Sequence, residues 1–152
     1  MFPSIFFKML QNSALFVNVL LRVNKQLDIH KGAITMTDLF FKDEIHESQF
    51  NAILDTVGAD NIEVTTLAYL TAATYKGKRL IEEKALNYKF IDDEKFLEVI
   101  APYSSSEKGL LRFALQCYNR HYDTITLPEV LQPLDETHHK IVKNALTLRY
   151  KL

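Results

Sequence analysis

"SSSEKGLLRFALQCYNRHY", residues 104–122, is the stretch on which the fold class turns. Ser104 and Glu107 stand three apart, the spacing of a capping box that closes a helix start; Ser105 and Ser106 are alternative caps. Leu110, Leu111, Ala114, Leu115, Cys117 and Tyr118 then recur at the i, i+3, i+4 spacing of one helical face. No strand period fits this run, so it is the expected central helix of an all-α domain.

Working toward the C-terminus, "LPEVLQP" reads as one helical turn between prolines, opened by Thr126-x-x-Glu129. "DETHHKIVKNALTLRYKL" closes the chain as a helix. Asp135 is its cap, and His138, Ile141, Val142, Ala145 and Leu148 form its apolar stripe. Lys143, Arg149 and Lys151 suit the negative end of the helix dipole.

Working toward the N-terminus, "DDEKFLEVIAPY" predicts a helix capped by Asp92 or Asp93 and ended by Pro102, with Phe96, Leu97 and Ile100 inward. "LIEEKALNY", residues 80–88, reads as a short helix. In "ADNIEVTTLAYLTAATYKGKR" the pair Asp60 and Glu63 resembles a capping box, Val64, Leu67, Ala68, Ala72 and Tyr75 make a stripe, and Gly77 ends the element. "KDEIHESQFNAILDTVGADN" predicts a helix capped by Asp43, with His46, Phe50, Ile53, Leu54 and Val57 on its buried face and Gly58 as a left-handed stop. Helices this short gain stability chiefly from mutual packing. The expectation is a compact irregular bundle of about five to seven short helices over residues 36–152, with a loosely attached N-terminal arm over residues 1–35.

The arm, "MFPSIFFKMLQNSALFVNVLLRVNK" and onward, carries Lys8, Arg22, Lys25 and Lys31 against one acid, Asp28, whereas the remainder is net acidic. Lys8, Gln11, Asn12, Asn18 and Arg22 interrupt its apolar run, which argues against a membrane span. A signal peptide would need a cleaner apolar stretch and a small-residue cleavage site. Two readings stay open: a peripheral amphipathic helix, or translated upstream sequence. The second rests on Lys31-Gly32-Ala33, whose codons can hold a ribosome-binding sequence at a workable distance from Met36.

The totals exclude several function classes. With 18 basic and 19 acidic residues, the net charge is −1, and no clustered basic face announces a nucleic-acid partner. Cys117 is the only cysteine, so an intramolecular disulfide and a cysteine-based zinc site are both ruled out, and a reducing, cytoplasmic setting is expected. His30, His46, His121, His138 and His139 include no i, i+3 or i, i+4 pair for a metal. No metal, cofactor or catalytic residue is therefore assigned. Asp92-Asp93-Glu94 lacks the alternation of a calcium loop and reads as a cap on a solvated face.

Two clusters stay as binding candidates. Ser105-x-x-Lys108 has the spacing of an acyl-transfer serine and lysine, but the partner motifs S-D-N and K-T-G are missing. Ser104, Ser105, Ser106 and Lys108 can instead hold an anion at a helix N-terminus, so a small anion- or nucleotide-binding protein or enzyme is the alternative reading. Lys76, Lys78 and Arg79 form a basic loop that could touch phosphates, although they are too few for duplex binding. Tyr69, Tyr75, Tyr88, Tyr103, Tyr118 and Tyr122 fit either a protein interface or the rim of a helical core.

"SSSEKGLLRFALQCYNRHY" followed by "LPEVLQPLDETHHKIVKNALTLRY", with "LFFKDEIHESQFNAIL" near the start, resembles a family of small uncharacterised all-helical proteins of Gram-positive bacteria and their phages. The resemblance spans roughly residues 37–150 and is weaker over 62–103. It implies a helical domain, a natural start at Met36 and a phage or mobile-element origin, and it brings no activity or catalytic residue. The function expected is a non-enzymatic protein–protein interaction module acting on a host protein.

Overall fold

A computed structural model describes residues 38–119, 121 and 125–152. The arm, the Met36 boundary and Tyr122 lie outside the described residues. The chain divides between Leu39 and Phe40, and the unit that follows, Phe40–Leu152, is a bundle of seven helices with one two-stranded hairpin among its described residues.

Helix α1 (Glu44–Val57) starts where the Asp43 carboxylate accepts the His46 N–H at 2.8 Å. Its inward face is His46, Phe50, Ile53, Leu54 and Val57. Gly58 ends it at φ 84°, ψ 126°, a positive-φ position but not the left-handed helical well. Helix α2 (Ile62–Ala73) is capped by Asn61, whose side chain accepts from Val64 N–H at 2.9 Å. Asp60, the expected cap, instead lies 3.9 Å from Lys89 Nζ.

The central helix is α2, and this corrects the expectation placed on residues 104–122. Every residue from Val64 to Ala73 is buried, and α2 packs against α1, the Ser104 helix and the C-terminal helix. Its threonines disguise it in the sequence. Thr65 and Thr66 donate their hydroxyls to the Asn61 and Ile62 carbonyls at 2.9 and 2.7 Å, so these polar side chains sit inside with their hydrogen bonds made. A helix surrounded by protein has no wet face and shows no amphipathic period.

The helix stops at Ala73, not at Gly77. Tyr75 takes a left-handed conformation at φ 59°, and Gly77 opens helix α3 (Gly77–Glu82). A Cβ on Gly77 would meet Ile53 Cδ1 at 2.6 Å, so the glycine lets α3 press onto α1. Residues 80–88 are only in part helical. After Glu82 the chain forms strands β1 (Leu86–Asn87) and β2 (Phe90–Ile91), paired antiparallel with Leu86 opposite Ile91. Leu86 and Ile91 face the core, and Asn87 and Phe90 face out. Lys89, at φ 57° in the turn, donates its N–H to Val57 O at 2.9 Å and ties the hairpin to the end of α1.

The remaining starts follow their sequence signals. Asp92 caps α4 (Asp93–Ile100), where Phe96 and Ile100 are buried and Leu97 is half-buried. Ser104 and Glu107 form the capping box of α5 (Ser105–Tyr118). Thr126 and Glu129 form that of α6 (Leu127–Leu131). Asp135 caps α7 (Glu136–Tyr150). Arg149 joins three helices: its Nε donates to Cys117 O at 2.8 Å and its Nη2 lies 3.3 Å from Glu63 Oε1.

Candidate functional site

Helices α1, α5 and α7 begin around the end of α2, and a cleft of about 310 Å³ opens among them. Lys42 enters from just before α1, Tyr75 from the end of α2, Ser106 from the first turn of α5, and Asp135 and His138 from the start of α7. Leu110, Pro133 and Leu134 give the cleft an apolar wall.

Lys42 is held from behind by an aromatic cluster. Phe41, His46, Phe50 and Tyr69 stack with ring centroids 5.0–6.1 Å apart. His46 is fully buried: its Nδ1 accepts the Lys42 N–H at 3.3 Å, so its Nε2–H donates to Tyr69 O at 3.0 Å. The Tyr69 hydroxyl donates to Phe40 O. These bonds fix the backbone at Phe40 and at Lys42 itself. Burial pushes the His46 pKa down from its ordinary value and so disfavours the charged ring.

The side chains in the cleft then align. Asp135 Oδ1 accepts from His138 Nδ1 at 2.7 Å as well as from the His138 backbone N–H at 2.8 Å. With the proton on Nδ1, the Nε2 lone pair faces Lys42 Nζ at 3.4 Å. Lys42 Nζ also sits over the Tyr75 ring, 3.9 Å from its centroid. The Tyr75 hydroxyl donates to Asp43 Oδ2, and its phenol is raised to about 12, first by burial and then by that bond. The same hydroxyl, with the His46 N–H, holds the Asp43 carboxyl below the usual carboxylate range. Asp135 is held down likewise by the His138 backbone and ring N–H groups. Burial lowers the Lys42 pKa, and the Asp43 and Asp135 carboxylates oppose that shift.

Of the residues singled out from sequence, Ser106 lines this cleft. Ser104 and Ser105 are exposed, and Lys108 is half-buried and not a lining residue. The α5 N-terminus already carries an anion of its own: Glu107 Oε2 accepts from Ser104 N–H at 3.2 Å and from the Ser104 hydroxyl at 3.0 Å. Lys76, Lys78 and Arg79 do not form a loop. Lys76 stands at the N-cap position of α3 without a side-chain capping bond, and the other two lie within the helix. Lys78 and Arg79 pair with Glu82 and Glu83 at 3.8 and 2.6 Å. Lys76 Nζ reaches Glu107 Oε1 at 3.7 Å and lies 4.9 Å from the Tyr103 ring centre. Lys76 thus pairs with Glu107, which lines the cleft together with Ser106, and is not itself a lining residue.

Sequence reading missed Lys42, treated Asp135 and His138 as cap and stripe, and placed Tyr75 in a helical stripe and among the interface or core-rim tyrosines. A signal was present. "DEIH" at 43–46 and "DETH" at 135–138 repeat one phrase, an aspartate cap followed by a histidine in the first turn. One histidine points into the core and the other lines the cleft.

A second surface lies at the hairpin. Tyr88 is 68% and Phe90 59% exposed. Beside them runs a groove of about 140 Å³ with apolar walls from Val57, Val64, Phe90 and Ile91 and the charged pair Asp60 and Lys89 at its side. Lys89 Nζ lies 5.4 Å from the Tyr88 ring centre. Elsewhere, Cys117 is buried and its thiol is pushed up to about 12, mainly by burial, which leaves it unreactive at neutral pH. Among the described residues, no group of three or more His, Cys, Asp or Glu side chains is placed to hold a metal, and no helix is long and apolar enough to cross a membrane. No protein-family model, curated protein or solved structure matches the chain.

Proposed function

We propose that the unit is a non-enzymatic protein-interaction module of the cytoplasm, and that the hairpin is its contact edge. One observation carries this reading: two large aromatic side chains, Tyr88 and Phe90, stand in solvent beside a groove with room for a single apolar side chain. Exposed aromatics of this kind act as anchors in protein interfaces. The partner that fits is a protein segment that inserts one apolar residue into the groove and lays its backbone along the hairpin. The resemblance of residues 37–150 to small proteins of Gram-positive bacteria and their phages supports a host protein as that partner, bound so as to regulate or inhibit it. The alternative, an anion- or nucleotide-binding protein or enzyme built on Ser104–Lys108, draws on Ser106 in the cleft. The Glu107 carboxylate across the same helix start weighs against it.

The test is a pair of pull-downs from a Gram-positive host lysate, one with the native chain and one with Tyr88→Ser/Phe90→Ser. Surface substitutions usually change stability by about 0.5 kcal/mol or less, and matched thermal melts of the two proteins establish that both are folded. A partner recovered by the native chain and lost by the double variant supports the reading. A partner recovered equally by both, or none recovered by either, refutes it.

A further inference from the structure

We propose that Lys42 is an amine nucleophile, and that the cleft takes a small uncharged aldehyde or ketone as a Schiff base on its Nζ. The proposal is independent of the docking surface at the hairpin. It rests on the line Asp135–His138–Lys42, with contacts of 2.7 and 3.4 Å, in which a carboxylate fixes the tautomer of an imidazole whose free lone pair faces an ammonium group. A surface lysine paired with an acid is a solvated charge. Lys42 is instead partly buried, faces a base and a ring, and opens on a cleft large enough for a small metabolite.

The surroundings select the ligand. Glu107 and Asp135 line the cleft and Asp43 bonds the Tyr75 hydroxyl, so three carboxylates stand against the two cations Lys42 and Lys76. That disfavours keto acids and phosphorylated carbonyls. Leu110, Pro133 and Leu134 offer a wall for a hydrocarbon body.

The step balances without an outside reagent. His138 Nε2 takes one proton from the Lys42 ammonium. The freed nitrogen lone pair attacks the carbonyl carbon while the C=O π pair moves to oxygen. A second nitrogen proton passes to that oxygen, giving a neutral carbinolamine. His138 then returns its proton to the leaving hydroxyl, the C–O bond breaks, water departs, and the nitrogen pair forms C=N. The product is a protonated imine, with the total charge unchanged and His138 neutral again. Asp135 is a positioning residue in this sequence, because it holds the proton on Nδ1.

The experiment treats the full chain with butanal and sodium cyanoborohydride, which reduces each imine to a stable secondary amine, and reads every lysine by peptide mass spectrometry. Lys78, whose side chain is 83% exposed, is the internal reference. Accessibility alone would favour Lys78. The proposal expects Lys42 to be labelled several-fold faster at neutral pH, and glyoxylate, an anionic aldehyde, to label it less than butanal does. His138→Ala should slow Lys42 by at least about tenfold, below the usual contribution of a positioned base and so a modest threshold, and leave Lys78 unchanged. Asp135→Asn keeps the cap acceptor, so it separates chemistry from folding. It keeps the oxygen that accepts from His138 Nδ1 and removes a charge that favours the ammonium, so the pH midpoint of Lys42 labelling should move down. Lys42 no faster than Lys78, a preference for glyoxylate, or an unmoved pH midpoint in Asp135→Asn each overturns the proposal.

Discussion

Asp43 and Asp135 each cap a helix and each place a histidine three residues on, yet the two rings meet opposite fates. His138 keeps a carboxylate on Nδ1 and lies at the cleft. His46 is sealed among Phe41, Phe50 and Tyr69 with backbone partners on both nitrogens, and burial lowers its pKa below the ordinary 6.5. The sign follows from linkage. Below 6.5 the unfolded ring takes a proton that the folded ring resists, so the unfolded state binds more protons and stability falls as pH drops. The Asp43 and Asp135 carboxyls, held below 3.8, lose their contribution only in a lower window. Urea midpoints between about pH 7 and about pH 5 should therefore decline in the native chain and stay flatter in His46→Gln, whose amide can serve the same two partners. Parallel slopes in the two proteins would refute this account of His46. Thr71 gives a prediction of the opposite sign. Its Oγ1 is buried without a hydrogen-bond partner among the described residues, unlike the back-bonded hydroxyls of Thr65 and Thr66. Thr71→Val keeps the shape and removes the orphan, so it should stabilise the protein by about 1 kcal/mol. A lowered midpoint in thermal melts would count against it.

At the scale of elements, two glycines inside or opening helices ask for different explanations. A Cβ at Gly77 would press into the Ile53 side chain at a separation that real Cβ atoms do not show, and α3 could not lie on α1 as it does with a larger residue there. Gly77→Ala should cost about 1–3 kcal/mol, the range for overpacking a tight contact. Gly109 sits in the first turns of α5, and the nearest atoms to its Cβ position are 3.9 Å away, ordinary contact. Gly109→Ala should therefore stabilise by about 0.5–1 kcal/mol through helix propensity alone. Paired chemical denaturation of the two variants checks both signs; the same sign in both would show that packing does not distinguish them. These elements also show what sequence can carry. Asp43, Asp92, Ser104, Thr126 and Asp135 cap their helices because capping is settled within three or four residues. The hairpin escaped because Leu86-Asn87 and Phe90-Ile91 are too short to establish a period of two, and the Leu-Ile-Glu-Glu run before them is helical.

The unit Phe40–Leu152 is organised around α2, which neighbours α1, α5 and α7, and that arrangement explains why the cleft was invisible in the sequence. Lys42, Tyr75, Ser106 and His138 come from four segments, each about thirty residues from the next, and only the packing of three helices on one brings them together. Local chemistry announced each helix start, but nothing local records which starts share a neighbourhood. The same centrality has a measurable consequence. A helix with ten consecutive buried residues cannot expose its amides by fraying or by the departure of one neighbour; it opens only when the bundle does. Helix α6 buries only Val130, and the hairpin leaves Tyr88 and Phe90 in solvent, so both can open locally. In native-state hydrogen exchange the amides of Leu67–Ala72 should be the slowest among the described residues and should track the global unfolding free energy as urea is added. The amides of α6 and of Asn87–Phe90 should exchange by local opening with little urea dependence. Slower exchange in α5 than in α2 would return the central position to the serine-capped helix and remove the frame that holds the cleft together.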